Sequence, residues 1–559
     1  MNLLAEIKEH ISSCVSDAII RAQEKGTLPK AEPYAFTVEI PKDTSHGDFA
    51  TNAAMVGAKV FRMPPPVIAK AIAENIVLHK WIESVEVAGT FINFRTSGSF
   101  FADAVRTVNS EGQAYGDSDF GKNEKVMVEY VSANPTGMMH MGNARGGALG
   151  DCLATVMKKT GFDVTREFYV NDAGNQIEKF KDSLSARYLQ IFRGEDAVPF
   201  PEDGYKGEDI KDRAREFADI HGDKYVDAPE DERRQALLEY ALPKNLGIIK
   251  QNLAQYRCEY DNWFMESDLH RSGAVKNVID IMTANGHTYE KDGALWYRAT
   301  DFGAEKDEVL VRKNGTPTYF AADIAYHRNK IVDRGFSRAI DIWGADHYGH
   351  VARLKGALNA IGVDGNKLEV IIMQLVRLVQ NGETVRMSKR TGRSITLEDL
   401  FEISSIDAAR FFFNMRSADT HFDFDLDLSI AQTNQNPVYY VQYAHARICS
   451  ILSVLAQSGI DVSKEPGELV YTEKEERELI RQLMIYPGEL EHTAVDYDVS
   501  RLTKYAMDLA TAFHSFYNAC RVKAEDEKVM YSRIALVSAA KTVLENVLGI
   551  LKVSAPEKM

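Results

Sequence analysis

The sequence predicts an α/β chain: a parallel-sheet central domain, a small α+β domain before it and an all-α domain after it. Apolar strand patterns alternate with helical patterns through the middle of the chain, at 125–131 (KVMVEYV), 338–343 (RAIDIW) and 368–375. Such alternation argues for a parallel sheet with crossover helices. A Pro/Gly turn and a glycine-rich helix start follow the first of these strands. In open α/β sheets that is where ligands bind. After residue 430 the strand signal fades into four long helical patterns, as in a bundle. The central domain is therefore expected to be Rossmann-type with a helical insertion.

Three domains are expected, at 1–117, 118–430 and 431–559. The first opens with a helix over 2–24, where Leu3, Leu4, Ile7, Ile11, Val15 and Ile19 recur at spacings of three and four. An Ala-rich helix follows at 51–61. Met63-Pro64-Pro65-Pro66 punctuates, and a further helix runs over 67–79. The stretch 85–94 (VEVAGTFINF) reads as strand, turn, strand. In the second domain a helix begins near Gly142 and another spans 348–361. The stretch 170–300 is longer than a crossover requires and reads mostly as helical insertion. The third domain carries helical patterns at 437–458, 473–484, 498–522 and 529–551.

Composition excludes several classes. The chain has 559 residues, 45% apolar and 26% charged, close to the average of soluble globular proteins. No uninterrupted apolar run reaches the ~18 residues of a bilayer span. No basic stretch precedes an apolar block at the N-terminus, so no signal peptide is expected. Cys14, Cys152, Cys258, Cys449 and Cys520 are scattered, with no C-x-x-C pair. That argues against protein-bound zinc and against a disulfide framework, and it fits a reducing cytoplasm. A net charge of −15 argues against non-specific nucleic-acid binding. It leaves room for a specific phosphate-bearing partner, because local clustering of Lys and Arg decides that.

Two segments carry chemistry. The first is 129–147 (EYVSANPTGMMHMGNARGG). A helix N-terminus offers unpaired N–H groups and partial positive charge to phosphate, glycine allows close approach, and His140 adds a donor. The glycines at 142, 146 and 147 match neither the dinucleotide fingerprint nor a P-loop; tight helix–sheet packing is the plainer explanation. The second is 383–394 (ETVRMSKRTGRS), which by its charges alone is a solvated basic loop.

Together, His140-Met141-Gly142-Asn143 and Met387-Ser388-Lys389 resemble the two signature motifs of class I aminoacyl-tRNA synthetases. The flanks resemble the arginyl-tRNA synthetase family over nearly the whole chain. They are Ala133-Asn134-Pro135-Thr136-Gly137, Asn171-Asp172-Ala173-Gly174-Asn175-Gln176-Ile177, Asp323-Ile324-Ala325-Tyr326, Gly344-Ala345-Asp346-His347 and 439–447 (YYVQYAHAR). Gly47-Asp48-Phe49-Ala50-Thr51-Asn52 and Phe91-Ile92-Asn93-Phe94 resemble that family's extra N-terminal domain, which contacts tRNA. Two departures stand out. Asn143 replaces the second histidine, so it donates a hydrogen bond without charge and its part is smaller or positional. Arg386 and Arg390 replace the outer Lys and Ser of the second motif, while Lys389 is intact.

The resemblance implies an enzyme that activates L-arginine with ATP and transfers it to the 3′ end of tRNA-Arg. It places His140, Asn143 and Lys389 in catalysis, and Gly142, Met387 and Ser388 beside them at ATP. Mg²⁺ is expected with the ATP phosphates. Glu129, Asn134, Tyr319, Asp323 and His347 are placed at arginine, whose planar fork suits carboxylates. Tyr439, Tyr443 and Arg447 are expected at tRNA, with Arg501, Lys504, Arg521, Arg390 and Arg393 completing a basic face. A monomer with no membrane attachment is expected. The alternatives are a class I synthetase for another amino acid, a small-molecule nucleotidyl transferase and a non-catalytic tRNA-binding paralogue.

Overall fold

The computed structural model describes residues 2–41, 43, 46–385, 395–464 and 467–559. Its centre is a five-stranded parallel sheet. In chain order the strands are β1 (Lys125–Glu129), β2 (Asp163–Val170), β3 (Asn262–Met265), β4 (Arg338–Gly344) and β5 (Leu368–Met373). Their spatial order is β5-β4-β1-β2-β3. Helix α1 (Met141–Lys159) carries the chain from β1 to β2. The chain later crosses back to the other side of β1 through helices α2 (Glu266–Arg271) and α3 (Tyr319–Arg328). The strand order therefore reverses around β1, which opens a crevice at the carboxyl ends of β1 and β4. Val126, Met127 and Val128 are fully buried, the continuous apolar run expected of a strand covered on both faces.

β1 ends two residues earlier than the hydrophobic pattern suggests. Val131 and Ser132 have φ of 71° and 41°, the left-handed region that costs non-glycine residues roughly 1–2 kcal/mol. β2 is invisible to hydrophobic patterning because Arg166 and Glu167 lie buried in its middle.

The insertion contains helices Gly174–Arg193, Glu208–His221 and Glu230–Gln255, packed around Phe180, Tyr188, Phe217 and Leu237. The 170–300 stretch is less purely helical than expected. It supplies β3 and a hairpin, Thr288–Lys291 with Ala294–Tyr297, to which Glu308–Val311 pairs. Asp292 and Gly293, at φ of 54° and 76°, form the left-handed two-residue turn that hairpins favour.

In the N-terminal region, helix Leu3–Glu24 packs beside a four-stranded antiparallel sheet. The two short helices differ from expectation. One begins at Ala53, after a strand at Phe49–Thr51. The other runs Pro65–Ala73, with Pro65 at the first helical position where its missing N–H is harmless, and stops well before residue 79.

Four helices, Pro437–Gln457, Lys474–Asp496, Ser500–Ala519 and Glu527–Leu551, form the C-terminal bundle. The second is almost twice its expected length because it continues through Pro487. Proline cannot donate to the carbonyl four residues back, here that of Leu483. The Tyr115 hydroxyl donates to that carbonyl at 3.0 Å instead. Helix Glu527–Leu551 is apolar and long enough to cross a bilayer by length and composition. The expectation from uninterrupted runs missed it, because charged residues punctuate it. It is mostly buried within the bundle.

Candidate active site

The turn after β1 delivers His140 to the start of α1. The Asn143 side-chain oxygen accepts a hydrogen bond from the His140 backbone N–H at 3.0 Å. This fixes the entry of the chain into the helix. Met141, Gly142 and Asn143 form the first turn of α1 and line a cavity of about 650 Å³ with His140, Val131 and Asp346. Helix N–H groups opening into such a hollow suit phosphate. A Cβ on Gly142 would sit 3.1 Å from the His140 ring, so glycine lets the imidazole fold over the helix start. Partial desolvation holds the His140 pKa below its usual value, which favours the neutral ring. Tight helix–sheet packing is found further along α1, where a Cβ on Gly150 would meet the Tyr130 ring at 2.3 Å.

Residues 386–394, including Met387, Ser388, Lys389, Arg390 and Arg393, lie outside the described residues. The chain on both sides of them reaches the same cavity, through Thr384 and Val385 before and Ile395 after. Met141 N donates to Ile395 O at 3.1 Å, and Leu397 N donates to Met139 O at 3.0 Å. Segments some 250 residues apart are thus stitched together at the mouth of one hollow.

An acid-rich cluster lies across the strained turn from this cavity. Val131 lines the phosphate-suited cavity. Its neighbour Ser132 donates to Glu129 Oε1 at 2.8 Å and accepts from Tyr169 N at 3.1 Å. Beyond lie acids. Asp323, on α3, is one third exposed and pairs with His350 Nε2 at 3.0 Å. Glu266, at the start of α2, is 2% exposed and takes a hydrogen bond from the Tyr169 hydroxyl. With the Asn171 amide turned so that oxygen and nitrogen exchange places, its nitrogen donates to Glu266 Oε2 at 2.9 Å. Burial, together with the negative charges of Asp323 and Asp172, pushes the Glu266 carboxyl up to about 7 despite the Tyr169 bond. A carboxyl raised by burial and by neighbouring acids is one that an added cation would stabilise in its charged form; on its other side His270 Nε2 lies 3.5 Å from Oε1.

The other sequence-derived residues fall around this cavity and cluster. Tyr319 opens α3; its hydroxyl accepts from Gln176 N at 3.0 Å. A Cβ on Gly174 would meet the Tyr319 ring at 2.8 Å, which explains the glycine in the Asn171–Gln176 segment. Asn134 is exposed on the turn after Ser132. Glu129 is buried and largely engaged. Its Oε1 accepts from Ser132, and its Oε2 accepts from Tyr326 at 2.8 Å and Lys330 at 2.6 Å. A carboxylate has about four acceptor directions, so one remains on Oε1. His347 lies beside Asp346, its Nε2 3.5 Å from the carboxylate. Three residues further on, His350 is the histidine that pairs with Asp323. Patterning also missed Glu266, Tyr169 and Ser132. The spacing His347-Tyr348-Gly349-His350 was the available signal for His350. Glu266 carried none, since its neighbours come from β2 and α3. Among the described residues no group of three or more His, Cys, Asp or Glu is arranged to hold a metal ion.

On the bundle, Tyr439 and Tyr443 stack with centroids 6.1 Å apart and planes within 6°. The Arg447 guanidinium lies over Tyr443 at 4.9 Å and over Tyr517 at 4.6 Å. These residues are half-buried, neither core nor fully solvated. Arg501, expected on a basic face, is instead tied to Asp496 and Glu489.

Three family models match the chain. They are "Arginyl tRNA synthetase N terminal domain" at 5–96, "tRNA synthetases class I (R), catalytic domain" at 104–420 and "DALR anticodon binding domain" at 441–559. The chain is 52% identical to an arginine–tRNA ligase of Acetivibrio thermocellus and 54% identical to one of Caldanaerobacter subterraneus subsp. tengcongensis. In both cases 100% of each chain is covered. Thermus thermophilus arginyl-tRNA synthetase shares the fold at a TM-score of 0.72 and 20% identity, covering 99% of this chain and 100% of that one.

Proposed function

The chain belongs to the arginyl-tRNA synthetase family and joins arginine to tRNA, and we propose that the cavity at the helix start and the adjoining acid cluster divide that work between ATP and arginine. The observation that carries the proposal is the turn between them. Of two consecutive residues, Val131 lines the cavity at the helix start, and Ser132 bonds to Glu129 and Tyr169 beside the acids. An arginine carboxylate held at this boundary would face an α-phosphate held by the helix.

In this assignment His140, Asn143 and the N–H group of Gly142 hold ATP phosphates and ribose. Neutral His140 donates one hydrogen bond there. Lys389, with Met387 and Ser388, meets the leaving pyrophosphate. The arginine carboxylate attacks the α-phosphorus, pyrophosphate leaves, and the tRNA 3′ hydroxyl then displaces AMP. The protein's contribution is positioning and charge stabilisation. The class I catalytic domain implies ATP. We assign Mg²⁺ to the ATP phosphates, because Mg²⁺ keeps water and phosphate ligands in preference to an all-protein cage.

Asp323 and Glu266 take the guanidinium fork, with Tyr319 closing over its stem. Glu129 Oε1 and Asn134 take the α-ammonium and carboxylate, and His347 guards the entrance. Tyr439, Tyr443 and Arg447 offer a stacking face to unpaired tRNA bases. We place the enzyme in the cytoplasm as a monomer, in keeping with five free cysteines.

Amino-acid-dependent ATP–pyrophosphate exchange, with and without tRNA, tests the assignment. Arginine is expected to drive exchange, with lysine at least ~10⁴-fold weaker, because a hydrogen-bonding site rejects a ligand that leaves its acids unpaired. Comparable exchange with lysine would refute the pocket.

A further inference from the structure

Beside the acid cluster assigned to arginine lies a row of charges, of which the mechanism above uses only Glu129 Oε1. In the sheet register, Asp341 of β4 stands beside Glu129 of β1, and Glu129 beside Glu167 of β2. Three carboxylates thus sit at one level on three adjacent strands, with 0%, 6% and 0% of their surfaces exposed. Like charges side by side in a low-dielectric interior repel strongly. The row is tolerable only with cations set into it.

Those cations come from the helix that carries Tyr319 and Asp323. Residues 319, 323, 326, 327 and 330 follow one another at spacings of four, three, one and three, so they share a face of α3 and the π-turn Asn329–Asp333 that ends it. Lys330 is fully buried. Its Nζ donates to Glu129 Oε2 at 2.6 Å and to Asp341 Oδ1 and Oδ2 at 2.8 and 2.9 Å. Three donors on one ammonium meet two acids. Arg334 pairs with Glu167, its Nη2 at 2.8 Å. The Tyr326 hydroxyl sits between Glu129 and Glu167, at 2.8 and 2.6 Å. His327 has Nε2 2.8 Å from Asp341 Oδ2 and Nδ1 2.8 Å from the backbone carbonyl of Asp323. Both ring nitrogens thus face oxygen atoms of the network.

The network touches the acid cluster at two points. One is Asp323, whose backbone carbonyl accepts from His327. The other is Glu129, which accepts from Ser132, which in turn accepts from Tyr169, the donor to Glu266. Both acid walls therefore hang from one anchored helix and one anchored strand end.

We propose that Lys330 is a positioning residue for arginine. Its ammonium locks α3 to the carboxylate row and thereby sets Asp323, Tyr319 and the Glu129–Ser132 turn at the spacing the guanidinium and α-ammonium require. Lys330 touches no substrate. The inference rests on the assignment of the acid cluster to arginine.

The test compares full-length wild type with Lys330→Met and Lys330→Met/Asp341→Asn, reading KM for arginine and for ATP in pyrophosphate exchange at saturating tRNA. Lys330→Met is expected to raise KM for arginine about tenfold or more, since small displacements of positioning groups cost that much, with KM for ATP within about twofold. Removing one row carboxylate relieves repulsion, so the double variant is expected to recover part of the loss while staying at least about threefold above wild type. If Lys330→Met does not fold, the double variant alone decides by the same threefold criterion. An arginine KM within twofold of wild type in a folded variant, or a parallel rise in both KM values, would overturn the inference. Absence of arginine-dependent exchange in the wild type would instead refute the assignment of the cluster.

Discussion

Glu266 shows how a single side chain sets pH behaviour. Its carboxyl is raised from the usual 4.5 to about 7, so ionising it costs the folded, ligand-free protein. The benefit of the protonated form is fully present below about 4.5 and is lost as pH rises through about 7. A shift of this size corresponds to stability on the order of 3 kcal/mol. Relative to Glu266→Gln, the wild type is therefore expected to lose thermal stability between pH 5 and 8, with arginine restoring it. A guanidinium favours the carboxylate, so arginine binding near pH 7 should release a proton. Calorimetry in buffers of different ionisation enthalpy reads this, and no proton release would contradict the role of Glu266. His140 and Asn134 stand out in the sequence because they lie in one contiguous segment. Glu266, His350 and Lys330 do not. Each acquires its proposed role from partners on other strands and helices, and hydrophobic periodicity carries no record of such neighbours.

At the scale of elements, most helices follow from spacing and most departures occur where a tertiary contact overrides a local rule. Pro487 signals a helix end, yet the helix passes through it because Tyr115 satisfies the Leu483 carbonyl. Tyr115 is buried and stacks on Tyr486. Tyr115→Phe keeps the ring and deletes the donor, leaving a buried carbonyl unpaired at a cost of about 1–3 kcal/mol. In a Pro487→Ala background the restored N–H serves that carbonyl, so the same substitution is expected to cost less. Chemical denaturation of the four proteins checks this coupling; equal costs in both backgrounds would show that the hydroxyl does not serve Leu483. The early end of β1 has a similar origin. Apolar patterning carries the strand to Val131, whereas hydrogen bonds from Ser132 to Glu129 and from Tyr169 to Ser132 hold the chain in a left-handed turn. β2 went unseen because its middle buries Arg166 and Glu167, groups that patterning assigns to the surface.

Across the whole molecule the three regions are joined through buried polar contacts. Arg410, fully buried, donates to Asp151 of α1 at 2.7 Å, to the Leu551 carbonyl at the end of the bundle at 2.8 Å and to the Tyr256 carbonyl of the insertion at 2.9 Å. One guanidinium thus ties the signature helix to both neighbouring units. The net charge of −15 is reconciled with a polyanionic partner by local chemistry. Among the described residues no carboxylate pairs with Arg447, which lies over two tyrosine rings, while Arg501 is neutralised by its own acids. Tyr443→Ala is expected to raise KM for tRNA by roughly 5- to 150-fold, the equivalent of about 1–3 kcal/mol of stacking, and to leave KM for ATP and arginine unchanged. Steady-state aminoacylation separates these, and an unchanged tRNA KM would move the contact elsewhere on the bundle.

The most direct measurement is a structure with a non-hydrolysable arginyl-adenylate analogue bound. The account predicts the phosphate at the start of α1, beside His140 and the Gly142 N–H, the guanidinium between Asp323 and Glu266, and the junction of the two halves at the Val131–Ser132 turn. A guanidinium lodged away from both acids, or a phosphate outside the helix start, would contradict it.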